Sequence, residues 1–160
     1  MSVAFTREES AETAAEVERP DRPISLHPNL VTAAGWKALD NAKAEARAAF
    51  DAAQQIEDVN ERRHSAAAAS RDLRYFSERL LSAEVIPPPP LFDAVAFGHR
   101  VTFKRDDGRR QVFRIVGEDE ADPKSGSISY VSPVARALIG KAVGDVAVVG
   151  DHEIEILAIA

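Results

Sequence analysis

Residues 64–90 read HSAAAASRDLRYFSERLLSAEVIPPPP, and this stretch decides the fold. Ala66, Ala69, Leu73, Phe76, Leu80 and Ala83 recur at alternating steps of three and four, so they fall on one narrow stripe of a helix. A stripe that narrow is the seam of a coiled coil, not the broad face of a helix lying on a globular core. Pro87–Pro90 then stop the helix and form a stiff, extended spacer, which marks a domain boundary.

Toward the N-terminus, the seam needs a partner. Thr32 is placed to cap a second helix, its hydroxyl oxygen accepting an N–H of the first turn. Trp36, Leu39, Ala46, Phe50 and Ala53 then follow at similar spacing, with Lys43 interrupting one seam position. Between the two helical patterns lies Glu57-Asp58-Val59-Asn60-Glu61-Arg62-Arg63, short and polar. The expectation is an antiparallel coiled-coil hairpin over residues 29–86 with its tip near 57–63. Alanine along the seam lets the backbones approach closely but buries little area, so the hairpin should lean on a neighbour at its Trp36/Leu80 end. Residues 1–28 carry six acids against three bases and are broken by Arg19-Pro-Asp-Arg-Pro23, which reads as a flexible acidic tail. A short helix over 7–17 is the alternative.

Beyond the prolines the hydrophobic period changes from helical to twofold. Val101–Phe103, Val112–Val116, Ile128–Val131, Val146–Val149 and Ile154–Leu157 are short β-branched and aromatic runs. Asp106-Asp107-Gly108 signals a hairpin turn, and Gly144-Asp145 and Gly150-Asp151 signal two more. Ser132-Pro133 opens a helix, serine as cap and proline in its first turn, and Gly140 closes it. Residues 91–160 should therefore form a small antiparallel sheet with one helix, giving an α+β chain overall.

Composition narrows the function. The 160 residues are 45% hydrophobic and carry a net charge of −6, which argues against independent DNA binding or an anionic membrane partner. With no cysteine there is neither a disulfide framework nor a thiolate nucleophile, and the four histidines lack metal-ligand spacing. No apolar run reaches the roughly 20 residues of a membrane span, and Met1–Arg19 lacks the basic-then-apolar order of a signal peptide. The expectation is a cytoplasmic monomer. No G-x-S-x-G, H-E-x-x-H or phosphate-binding glycine loop occurs. Glu118, Asp119, Glu120 and Asp122 form an acidic cluster without the EF-hand pattern and read as a solvated loop. Asp58 and Glu61, three residues apart, offer hard oxygen ligands that suit Mg²⁺. Two carboxylates hold Mg²⁺ weakly, so this pair reads either as half of a shared site or as a helix cap with surface solvation.

The order of motifs in the sheet domain bears on that choice. Phe113-Arg-Ile-Val-Gly-Glu-Asp-Glu120, Ile128-Ser129, Ser132-Pro-Val-Ala-Arg-Ala-Leu138 and Val143-Gly-Asp-Val-Ala-Val-Val149 closely resemble the C-terminal domain of the GreA/GreB transcript-cleavage factors, nearer to GreB. Asn29-Leu-Val-Thr32 with Gly35, and Arg74-Tyr75 with Val85-Ile86, resemble the opening and close of that family's coiled coil. The resemblance implies an FKBP-like C-terminal domain that docks on the rim of the secondary channel of bacterial RNA polymerase, through Val131, Ser132 and Pro133 in this chain. It also implies a hairpin that enters the channel and sets its tip beside the catalytic metal and the RNA 3′ end. Asp58 and Glu61 match the tip acids, which would share a polymerase Mg²⁺, while the chain has no resident cofactor and no active site of its own. Glu57, Asn60, Arg62 and Arg63 replace the family's Gly, Ser and Asn-Ala, which makes Asn60, Arg62 and Arg63 modulators of the tip. Val131 stands where the family usually has Asp.

Laid against the family pattern, the hairpin lacks about eight residues before the tip and about six after it, so at about 1.5 Å per residue the tip stops about 9–12 Å short. The reading is therefore a polymerase-binding regulator with weak cleavage stimulation. Two alternatives come from other classes. One is an FKBP-type prolyl isomerase, which would need Phe92, Phe97, Phe103, Phe113 and Tyr130 to line a pocket and not the core. The other is an interaction module for a partner other than polymerase.

Overall fold

The computed structural model describes residues 19–160, so a helix over 7–17 and the greater part of the expected tail lie outside the described residues. The chain divides into two compact units, one containing Leu39–Leu81 with the segment ending at Ile24, the other Ser25–Ala38 with Ser82–Ala160.

In the first unit, α1 (Ala33–Ala53, whose opening residues belong to the second unit) and α2 (Val59–Ser82) are joined by five residues. Leu39, Ala46 and Ala53 are buried on α1, and Ala69 and Arg79 on α2. Ala46 and Ala49 line the same groove as Phe76, and Arg47 shares a second groove with Leu73, so these levels of the two helices lie side by side. The α1 seam runs through half-buried Ala42, which leaves Lys43 exposed. Trp36, expected on this seam, is instead 41% exposed. Residues ahead of α1 also engage α2. The Arg22 guanidinium lies 3.7 Å from the Tyr75 ring centroid and pairs with Asp72 at 3.1 Å, while Arg74 pairs with Asp21 at 2.6 Å.

The second unit holds a five-stranded sheet of order β5-β4-β3-β7-β6, built from β3 (Arg100–Arg105), β4 (Arg110–Val116), β5 (Ser127–Ser129), β6 (Val146–Val149) and β7 (His152–Ile159). Alternation sends Val101 and Phe103 of β3, Ile115 of β4, Ile128 of β5, and Ile154 and Ile156 of β7 into one core. α3 (Pro133–Leu138) adds Ala135 and Leu138. Ser132 caps it by accepting the Ala135 N–H, and Pro133 occupies its first turn. The sheet is mixed and not wholly antiparallel, because β4 and β5 pair in parallel. The ten residues between them make this possible: they include a 3₁₀ turn (Pro123–Ser125) whose cap, Asp122, accepts the Lys124 N–H and the Ser125 hydroxyl.

A second, two-stranded sheet gathers distant chain segments. β1 (Leu30–Val31) runs parallel to β2 (Glu84–Val85). Gly117 passes so close beneath β1 that a Cβ there would stand 2.3 Å from the Leu30 carbonyl oxygen. Thr32 has two roles at this point: its oxygen accepts the Gly35 N–H at 2.9 Å, capping α1, and its O–H donates to the Glu120 carboxylate at 2.7 Å. The Tyr130 hydroxyl donates to the Pro28 carbonyl. Glu120 is thus tied into the fold and Glu118 is half-buried beside it, while Asp119 and Asp122 stay exposed, so the solvated-loop expectation holds for the latter two and is corrected for the former. Thr32→Ala removes a cap and a charge-assisted bond together, and should lower unfolding stability in urea by about 1–2 kcal/mol, with Thr32→Ser restoring most of it.

Candidate functional site

The tip is built by the end of one helix and the cap of the next. α1 unwinds through Gln54, Gln55 and Ile56, whose N–H groups still reach back to Phe50, Ala52 and Ala53 carbonyls. Asp58 is the N-cap of α2: its Oδ1 accepts the Glu61 N–H at 2.8 Å, and its carbonyl accepts the Arg62 N–H at 2.9 Å. Glu61 is three residues into the helix, where its charge favours the helix N-terminus. The connection therefore runs over 54–58, and Asn60, Glu61, Arg62 and Arg63 already belong to α2, because the Asp58 cap starts the helix earlier than the polar composition suggests.

Glu57, Asp58, Asn60, Glu61 and Arg63 are exposed. Arg62 is half-buried, and its guanidinium donates to the Ile56 carbonyl at 2.9 Å. No ion pair neutralises Asp58 or Glu61 among the described residues. Asp58 Oδ1 is committed to its cap, so the pair offers Asp58 Oδ2 and the Glu61 carboxylate to an incoming ligand. No group of three or more His, Asp or Glu side chains that could hold a metal ion occurs among the described residues. Alone, this donor set fits Mg²⁺ only where another molecule completes the coordination.

The segment Val131–Pro133 lies in the second unit. Val131 and Ser132 are half-buried and Pro133 is exposed at the start of α3. The Val131 N–H donates to the Ser129 hydroxyl and the Ser132 N–H to the Ser129 carbonyl, so the segment is a fixed turn held by β5. The aromatic residues of this unit do not converge on a pocket. Phe103 is buried, and Phe97, Phe113 and Tyr130 pack around the same core, with Phe103 and Phe113 6.0 Å apart. Phe92 instead stacks on buried His99, at 5.1 Å. A groove of about 200 Å³ on the sheet is lined by Lys104, Arg105, Asp106, Val146, Glu153 and Glu155, with no aromatic wall for a proline.

Sequence reasoning missed the bond from Thr32 to Glu120 and the hold of Asp21 and Arg22 on α2. For the second a signal existed: Asp21-Arg22 is complementary to Asp72 and Arg74. The first joins residues 88 apart and left no local trace.

Comparison with known proteins points to one family. A family model described as "Transcription elongation factor, GreA/GreB, C-term" matches residues 89–160. Transcription elongation factor GreB of Neisseria meningitidis serogroup B is 43% identical over 95 residues, which cover 56% of this chain and 58% of that protein. Transcription elongation factor GreA of Ralstonia nicotianae is 41% identical over 130 residues, covering 76% of this chain and 81% of that protein. Transcription elongation factor GreB of Haemophilus ducreyi is 35% identical over 133 residues, covering 73% and 82%.

Proposed function

The chain belongs to the GreA/GreB family of transcription elongation factors, and on that premise we propose that it acts through the secondary channel of bacterial RNA polymerase as a channel-occupying regulator with weak cleavage stimulation. It is an accessory factor, not an enzyme in its own right; RNA cleavage is the polymerase's chemistry. The C-terminal unit, FKBP-like in this reading, docks on the channel rim through the turn Val131-Ser132-Pro133. α1 and α2 form an antiparallel coiled-coil hairpin that carries Asp58 and Glu61 toward the active site and the RNA 3′ end.

The observation that carries this reading is the state of the tip. Both acids sit at the exposed start of α2, and Arg62 is held on the Ile56 carbonyl instead of neutralising them. They remain free to complete a Mg²⁺ site whose other ligands belong to the polymerase, where the metal supplies charge stabilisation and an acidified water. Arg63 is exposed beside them and suits a phosphate of the RNA. Reach limits the outcome: a tip about 9–12 Å short is far outside the ångström or so that metal chemistry tolerates. Occupancy of the channel therefore dominates over cleavage.

RNA cleavage in arrested elongation complexes, with binding of this protein to polymerase followed in the same sample, tests the reading. Binding with slow cleavage is expected. Vigorous cleavage would overturn the regulatory reading, and absence of binding would overturn the channel reading as a whole.

A further inference from the structure

We propose that the solvent-facing side of the five-stranded sheet is a docking surface for an acidic, amphipathic protein segment, gripped by Arg100, Lys104, Arg110 and Arg114. The register sets Arg100 directly opposite Arg114 and Lys104 directly opposite Arg110, with Thr102 opposite Val112 between them. Alternation puts these six side chains on the face away from buried Val101, Phe103 and Ile115. Like charges directly opposite one another destabilise a sheet, so an acid at either partner position would serve folding better. The two repulsive pairs share one face of the sheet in a chain whose net charge is −6. No ion pair engages Arg100, Lys104 or Arg110 among the described residues, and Arg114 Nε donates only to the Gly98 carbonyl, at 3.3 Å.

The chemistry of the face selects the occupant. Val112 lies between the cation pairs and is 47% exposed, so the surface offers an apolar contact flanked by positive charge. Arg100 and Lys104 are separated along the strand by about 13 Å, close to two and a half turns of a helix. A helix or strand with carboxylates on either side of an apolar side chain complements that pattern. Nucleic acid complements it poorly. The aromatic residues of these strands, Phe103 and Phe113, belong to the core, which leaves no stacking platform. Glu155, opposite Lys104 on β7, and Glu153 bound the cationic face on that side, so the acidic segment lies over β3 and β4. None of the four cations lies in the tip or in Val131–Pro133, so the inference stands or falls apart from the channel reading.

The test uses the full-length chain labelled with ¹⁵N. It is titrated with a short helical peptide bearing Glu and Leu on one face, with the same peptide carrying Gln for Glu, and with oligouridylate RNA. The acidic peptide should shift amides of residues 100–105 and 110–116, while the Gln peptide and the RNA should not. Arg100→Glu combined with Arg110→Glu should weaken peptide binding by about tenfold or more. The same double variant should melt at a higher temperature, because each new carboxylate faces a cation, Arg114 or Lys104. That gain separates lost binding from lost folding. A peptide that moves no amide in these strands, or that binds the double variant as tightly as the wild type, overturns the proposal. Shifts produced by the RNA would also overturn it, in favour of a nucleic-acid surface.

Discussion

Asp58→Asn and Glu61→Gln should each return RNA cleavage in arrested polymerase complexes to the polymerase's own unstimulated rate, removing the weak stimulation that the wild-type chain provides, while binding to polymerase is unchanged. The choice of substitution follows from the double duty of Asp58. Its Oδ1 caps α2 on the Glu61 N–H, so alanine would remove a cap as well as a ligand. That alone costs about 0.5–2 kcal/mol and would loosen the first turn that carries Glu61. Asparagine caps as well as aspartate but brings no negative charge to a metal. A cleavage defect shared by Asp58→Asn and Asp58→Ala, with only the alanine variant losing thermal stability, would assign the effect to ligation. If Asp58→Asn cleaves like the wild type, the carboxylate is a helix cap and nothing more. Activity is read from the rate of 3′-fragment release, and binding from native gels of the same complexes.

The strands were legible because their signals are local. Each of the five runs with twofold period lies within or overlaps an observed strand, and Gly108, Gly144 and Gly150 adopt the positive φ that their turns demand. Ser132 and Thr32 cap as their positions indicate. Strand direction was less accessible. Ile128 fits a core equally well from a parallel or an antiparallel neighbour, and the choice was made by the 3₁₀ turn that lets the chain return alongside β4. In α1, alanine is so frequent that spacing alone does not phase the seam, which is why Trp36 was placed on it and Ala42 was not. Arg79, buried at the root of α2, carries no pattern that distinguishes it from its exposed neighbours. At the tip, the spacing of Asp58 and Glu61 foretold both a capping pair and a shared metal site. The geometry supplies the cap directly, and leaves the metal to a partner that brings further ligands.

Lengthening the arm should convert a weak cleavage stimulator into a stronger one, and this prediction separates reach from tip chemistry. The insertion must keep the seam in phase, so the unit is seven residues in each helix, which adds about 10.5 Å and returns the seam positions to the same face. The two insertions must also enter at the same level. Ala46 and Phe76 line one groove and Arg47 and Leu73 another, so an insertion after Ala46 belongs with one just after Leu73. Small or leucine seam residues in the new heptads preserve the close approach that alanine allows. If the shortfall of about 9–12 Å is what restrains cleavage, the extended chain should cleave at least about tenfold faster than the wild type. Introducing Asp58→Asn into the extended chain should then cancel the gain. A control with five residues inserted in each helix rotates the seam by about 140° away from its partner and should melt earlier with no gain in cleavage. Should the seven-residue extension fold, bind polymerase and still cleave slowly, reach is not the restraint. The substitutions at Glu57, Asn60, Arg62 and Arg63 would then carry the difference, and restoring Gly, Ser and Asn-Ala at those positions in the extended chain becomes the decisive comparison.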